Sequence, residues 1–285
     1  MSINGKGAAI IASQLIFGKY ASNKYAKSFI NHYFYHIQNE QEPSNYLLNS
    51  NTIKHSINSF DNTKFNAYEI RNNTTENYVL LVHGFNQTSK DMEVIANGFD
   101  LKGYNIILIQ NRNELTHGIL ESFDLYSWIY YFVNKYPSIN ITLYGENEGA
   151  NIIIETLQAK QPNNIKCCIL DNAIPNYTDK LIESYIDERK IVLKKSFNRS
   201  IQNALVQKYG YNFKDISLDK CIENNSIPLC FVYSKHFSRN EYYELLKLFN
   251  KTKGDHKFYF TSTIKRNYTE ENYFDILDLF IKNYL

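Results

Sequence analysis

Ile141-Thr142-Leu143-Tyr144-Gly145-Glu146-Asn147-Glu148-Gly149-Ala150-Asn151 is an apolar, β-branched run cut by a Gly-x-x-x-Gly turn, and it passes at once into the helical pattern Ile152 to Leu157. A strand that enters a helix through two glycines four apart presents the middle residue at the top of a sheet, in a strained turn suited to a nucleophile. The glycines are required because a side chain at either flank would collide with the strand or helix packed against the turn. In a catalytic turn of this kind the middle residue is serine, cysteine or aspartate; here it is Asn147. Asparagine tolerates positive φ better than most residues, so it fits the shape. Its amide is not a nucleophile at neutral pH, so the shape is kept without the attacking atom.

Outward from the turn, strands and helices alternate. Upstream, Tyr78-Val79-Leu80-Leu81-Val82 is an uninterrupted apolar strand of the kind buried on both faces of a parallel sheet, and it ends in His83-Gly84-Phe85. A helix near 89–100, a strand at Tyr104–Gln110, a helix near 121–136, the strand Asn140–Gly145, a helix over 148–160 and a strand at Ile165–Asp171 follow. This rhythm predicts a doubly wound, mostly parallel α/β sheet. It is preceded by a hairpin, Ile53–Phe60 and Phe65–Arg71 around Asp61-Asn62-Thr63, and it resumes with Pro228–Ser234, a helix at Glu241–Phe249, Lys257–Thr261 and a helix from Glu270 to Tyr284. Between 174 and 224 the rhythm breaks into two helical patterns, Asp179–Lys195 and Ser200–Tyr209, which read as a helical cap inserted where ligands bind in open α/β sheets. Residues 1–44 read as an N-terminal helical segment and linker, with apolar positions at helical spacing over 6–38, and 45–285 as the α/β domain.

With this order laid out, the chain from about residue 45 onward resembles the α/β-hydrolase superfamily. It is most similar to the bacterial branch of serine aminopeptidase-like and acylglycerol lipase-like hydrolases, many of which carry a hydrophobic N-terminal anchor. Val82-His83-Gly84-Phe85 matches that family's strand and oxyanion loop, Lys102-Gly103-Tyr104-Asn105-Ile106 its "Lys-Gly-Tyr-x-Val" strand start, and Leu143 to Ala150 its nucleophile turn. Glu121-Ser122-Phe123-Asp124-Leu125-Tyr126-Ser127-Trp128-Ile129 is similar to its acidic "Asp-Leu-x-x-Trp-Ile" helix. Tyr209-Gly210-Tyr211-Asn212-Phe213 and Ser226-Ile227-Pro228-Leu229 match the segment before its seventh strand. The resemblance implies an oxyanion hole from the N–H groups of Phe85 and Glu148, and a structural role for His83.

The family's chemistry does not follow. Its acid belongs in a "His-Gly-x-x-Asp" stretch after the seventh strand, but the corresponding residues are Tyr233-Ser234-Lys235-His236-Phe237, with Phe237 in the acid's place. No histidine follows His256, and Ser262 to Asn267 offer Thr263, Lys265 and Arg266 where the base belongs. The family's "Asp-x-Arg-Gly-His-Gly" loop is reduced to Gln110-Asn111-Arg112-Asn113-Glu114. Losing even one triad member typically lowers the rate on the order of 10⁴-fold or more. The expectation is a non-catalytic α/β-hydrolase-fold protein that binds a ligand or a protein. The alternatives are an ester or amide hydrolase using other groups, such as Ser234 or a loop histidine, and a membrane-surface protein acting through its N-terminal helices. Pocket candidates are His83, Gly84, Glu146, His117 and His236; of Glu146 and Glu148, one should be buried under the helix start and the other should face the cavity.

Composition narrows the remaining classes. The chain has 285 residues, 44% hydrophobic and 15% aromatic, with a formal charge of +2, ample for a sizeable core. Acids and bases are interspersed, so nucleic acid is not an expected partner; a small apolar or acyl-like ligand is, together with a protein or membrane surface at the N-terminal helices. No metal-ligand spacing and no phosphate-binding glycine loop occurs, so no metal and no cofactor is expected. Cys167, Cys168, Cys221 and Cys230 lie in or beside apolar runs and read as reduced core thiols. The apolar run Ala8–Phe17 is shorter than the ~20 residues of a spanning helix, which leaves a cytoplasmic location, with membrane association at the N-terminus, as the expectation.

Overall fold

The computed structural model describes residues 22–31, 33, 51–84, 87–112, 116–175, 177–210, 217–234, 239–261 and 272–285. Eight strands form one sheet in the order β1-β2-β4-β3-β5-β6-β7-β8: β1 Thr52–Asn58, β2 Lys64–Ile70, β3 Asn77–Val82, β4 Asn105–Ile109, β5 Asn140–Glu146, β6 Ile165–Asp171, β7 Leu229–Ser234 and β8 His256–Thr261. The pairs β1–β2 and β2–β4 are antiparallel and every other pair is parallel. Asn62, at φ 63°, turns the predicted hairpin, closed by Ser59 N–H to the Thr63 carbonyl at 2.8 Å. The central strands β3 and β4 are apolar after their first residue and buried over nearly all their length, as strands covered by helices on both faces are.

One face packs on α2 (Glu93–Leu101) and α9 (Tyr273–Lys282): Val79, Leu81, Ile106, Leu108, Tyr144 and Ile169 meet Ile95, Phe99, Leu277 and Ile281 in a single buried cluster. Alternation sends Leu80, Ile107 and Leu143 to the other face, where α3 (Ile119–Lys135) and α4 (Glu148–Thr156) pack together. The four cysteines are free and buried. No helix among the described residues is long and apolar enough to cross a membrane.

The chain divides into two compact units that do not follow chain order. One contains the described residues of 51–175 and 217–285, with the sheet, α7 (Leu218–Glu223) and α8 (Arg239–Lys251); the other joins the described residues of 22–33 to those of 177–210. The second unit holds α1 (22–31), α5 (Tyr177–Glu188) and α6 (Lys194–Tyr209). Its core is Phe29, Ile30, Ile182, Tyr185, Phe197, Ile201 and Leu205. Tyr185 stacks on Phe197 with centroids 5.7 Å apart, and Phe29 meets Tyr185 edge-on at 5.2 Å. The rest of the helical pattern predicted over 6–38 lies outside the described residues.

The single helix predicted over Asp179–Lys195 is instead two. Helix α5 ends in a left-handed residue, Lys190 at φ 50°, followed by buried Ile191, whose N–H reaches back to the Ile186 carbonyl at 2.9 Å. This is the Schellman closure, with an apolar residue seated just after the left-handed position. Glycine usually marks that position, and lysine there hides the stop. Lys190→Gly should therefore raise the stability to urea by about 1 kcal/mol, since it removes the Cβ penalty of the left-handed conformation.

Candidate functional site

The turn between β5 and α4 has the strained geometry that its two glycines require. Asn147 sits at φ 54°, ψ −117°, partly exposed, with α4 beginning at the next residue. A Cβ on Gly145 would stand 2.5 Å from the Gly149 backbone, and one on Gly149 would stand 2.1 Å from the Val82 carbonyl oxygen at the end of β3. No side chain can occupy either place, so the strand, the neighbouring strand and the helix close to backbone distance. The Asn147 N–H donates to the Asp171 carbonyl at the end of β6 at 2.8 Å, and its own carbonyl accepts from Ala150 N–H at 3.1 Å. Holding a non-glycine residue at such angles costs about 1–3 kcal/mol. Asn151 steadies the next segment: its amide accepts from Ile174 N–H and donates to the Ile174 carbonyl, both at 3.0 Å.

The loop after β3 is fixed from two sides. His83 is buried, its Nδ1–H donating to the Gly84 carbonyl at 2.9 Å while Nε2 accepts from Asn111 N–H at 3.4 Å. A carbonyl can only accept, so the proton is on Nδ1. Burial holds the ring's pKa below the ordinary histidine value, and the ring is neutral. These bonds tie the ring to the loop after β3 and to the backbone at Asn111. On the other side Gln87 bridges the loop to the turn: Gly84 N–H donates to Gln87 Oε1 at 2.7 Å, and Gln87 Nε2 donates to Glu146 Oε2 at 3.0 Å.

Two acids flank Asn147 in the chain. Glu146 and Glu148 are both nearly buried, 7% and 9% exposed. Glu146 points along the sheet end, where Gln87 and, at 3.4 Å, the Asn147 amide donate to it. Glu148 folds onto the β3 loop so closely that a Cβ added to Gly84 would stand 2.6 Å from its Oε2. Side chains on the first turn of a helix lie back toward its N-terminus, which carries the carboxylate over the loop.

A third acid, absent from the sequence reading, completes the cluster. Asp171 pairs in register with Glu146 across β5 and β6. Its Oδ2 accepts from Tyr144 at 2.8 Å and Tyr273 at 2.6 Å, and its Oδ1 accepts from the Asn172 amide at 2.8 Å. Burial, with the nearby Glu146 carboxylate, pushes its pKa up to about 7 against the tyrosine hydrogen bonds, which lower it. Only the register of β5 against β6 and the return of α9 bring Tyr144, Asp171 and Tyr273 together, so no local signal marks them.

The other candidates fall elsewhere. His117 is buried at φ 55° beside Gly118, which packs on the carboxyl of Glu155, seven residues along α4 from Glu148. Burial and then the nearby Glu121 carboxyl raise the Glu155 pKa well above the usual carboxylate range. Arg112, in the altered loop, clamps Asp124 through Nε and Nη2 at 2.8 Å each and reaches Asp61 at 3.1 Å, with Ser59 also donating to Asp124. That network ties the β1–β2 hairpin to α3. Phe85, His236, Phe237 and Ser262 to Asn267 lie outside the described residues, and Ser234 closes β7. Among the described residues no group of three His, Cys, Asp or Glu side chains could hold a metal ion. Burial pushes the Cys167 and Cys221 thiols up to about 12, so neither is a thiolate at neutral pH.

No family model matches the sequence, and no curated protein matches it. Solved structures do match. An esterase of Pyrococcus furiosus superposes at TM-score 0.64 with 17% identity over 82% of this chain and 91% of its own. The α/β-hydrolase GrgF from a Penicillium species gives 0.62 with 12% identity over 82% and 98%. An acylaminoacyl peptidase of Pyrococcus horikoshii gives 0.56 with 15% identity over 82% and 41%. With the sheet order and the turn geometry, these likenesses establish that the chain has the α/β-hydrolase fold.

Asp171 makes a testable demand on stability. Its carboxyl stays protonated in the folded protein up to about pH 7 and has an ordinary value of 3.8. A raised folded-state pKa contributes stability that is fully present below the unfolded value and is lost as pH rises through the folded one. Asp171→Asn keeps an acceptor for the tyrosines and removes this dependence. Urea denaturation should show the variant gaining stability relative to wild type between pH 4 and 7.

Proposed function

We propose that this α/β-hydrolase-fold protein binds a ligand or a protein partner at the β5–α4 turn without hydrolysing it. The observation that carries the reading is Asn147: the backbone strain characteristic of a nucleophile's seat supports a side chain that cannot attack a carbonyl. The placement of Glu148 adds to it. In ester and amide hydrolysis, negative charge develops on the former carbonyl oxygen and must meet aimed donors. Here a carboxylate lies over Gly84, beside the Glu148 N–H that the resemblance assigns to the hole, and it would raise the energy of that oxyanion. The sequence supports the same view, with Phe237 and the Thr263–Arg266 stretch where an acid and a histidine would complete the relay.

The second reading, hydrolysis through other groups, draws support from the esterase and peptidase activities named for the structural neighbours. A fluorophosphonate probe separates the two. Intact-mass spectrometry should show no adduct on the wild-type protein, and none on Asn147→Ser, because a serine restored without base and acid remains unactivated. A stoichiometric wild-type adduct, mapped to its peptide, would overturn the non-catalytic reading and locate the nucleophile.

A further inference from the structure

We infer that the groove between α1 and α6 binds a phosphorylated polyol, with its phosphate held by Lys24, Lys27 and Arg199. The site lies wholly within the helical unit, and its chemistry is independent of the β5–α4 turn.

The charges of this unit are sorted by helix. Over the whole chain bases and acids nearly balance, at a formal charge of +2. Yet α1 carries Lys24 and Lys27 with no acid, and α6 carries Lys194, Lys195, Arg199 and Lys208 with no acid. The acids of residues 177–210, which are Asp179, Glu183, Asp187 and Glu188, all lie on α5. That helix draws Lys194 to Asp187 at 3.4 Å and pairs Arg189 with its own Glu188 at 3.5 Å. Among the described residues no carboxylate pairs with Lys24, Lys27 or Arg199. Bases on neighbouring turns repel one another, and a bound anion relieves that repulsion.

Packing turns these bases into a site. Phe29 meets Phe197 edge-on with centroids 6.2 Å apart, and Ile30, Ile201 and Leu205 join them in the core. Spacings of three and four residues then set Lys24 and Lys27 along one side of α1, and Arg199, Ser200, Asn203 and Gln207 along one side of α6. Together they line a cavity of about 830 Å³ that has no acid in its wall. Its hydroxyl and amide side chains on α6 make no hydrogen bond with the described residues, so their capacity is unspent.

The wall selects the ligand. Three cations suit a phosphate, whose several charged oxygens can engage them at once, with the arginine fork taking two. Serine hydroxyls and the amides of Asn203 and Gln207 both donate and accept, which matches a body rich in hydroxyls. The apolar lining is Ala26 and Ala204, without an aromatic ring, so an acyl chain gains little burial and a nucleobase finds no platform to stack on.

Calorimetric titration of the full chain tests this with inositol hexakisphosphate, fructose bisphosphate and glucose phosphate as probes. Unphosphorylated inositol, inorganic phosphate and a short DNA duplex are the controls, and phosphatidylcholine vesicles with and without phosphatidylinositol phosphates form a second arm. At least one phosphorylated polyol should bind saturably, and more weakly as salt rises from roughly 0.05 to 0.3 M. Arg199→Gln and Lys27→Gln should each weaken it about 10-fold, the loss of one charge-assisted contact. Lys195→Gln, a cation of the same helix outside the groove, should leave it unchanged. Binding of a free probe with this residue dependence assigns a soluble ligand. Binding only to the phosphorylated vesicles, with the same dependence, assigns a lipid headgroup; either result upholds the site. No binding in either arm, equal weakening by Lys195→Gln and Arg199→Gln, or inorganic phosphate or DNA bound as tightly as the polyols would each overturn the proposal.

Discussion

The approach of α4 to the end of β3 is the constraint on which the rest of the site depends. Gly149 lies so near the Val82 carbonyl that a Cβ would stand 2.1 Å from it, and Gly145 lies as tightly under the first turn of the helix. Because neither glycine carries a side chain, the helix can start directly above the sheet. Its starting point fixes Asn147 at the apex in a conformation that little besides glycine or asparagine adopts readily. The same closeness aligns the ends of β3, β5 and β6, so that the Asn147 N–H meets the Asp171 carbonyl. The turn survives as a mechanical element whether or not its apex can attack.

Three carboxyl groups gather around that apex, and each is accommodated by a different means. Asp171 keeps its proton and two tyrosine donors in a buried corner against α9. Glu146 takes the amide of Gln87, which also holds the β3 loop through Gly84. Glu148 folds back over the β3 loop beside Gly84. In the usual chemistry of the fold the apex must welcome negative charge. Here the apex carries the Asn147 amide, with the side chains of Glu146 and Glu148 on either side of it in the chain.

Most of the fold was legible because it is written in local periodicity: uninterrupted apolar strands, the helical patterns between them and the Gly-x-x-x-Gly turn. The hairpin at Asn62 and the shape of the turn at Asn147 follow from residues that tolerate positive φ. What stayed hidden depends on long-range register or on an unusual residue in a familiar place. Lys190 ends a helix where glycine would have announced the stop. Gln87 and Asp171 acquire their roles only when β3, β5 and β6 lie side by side, and Tyr273 arrives from the far end of the chain.

The account stands most directly on whether the apex performs acyl chemistry. Steady-state turnover of a panel of short- and medium-chain activated esters, measured for wild type and Asn147→Ala, addresses this. The account predicts both proteins to be indistinguishable from the uncatalysed reaction. Saturable wild-type turnover that Asn147→Ala abolishes would contradict it, because the amide apex would then be part of a working catalytic machine.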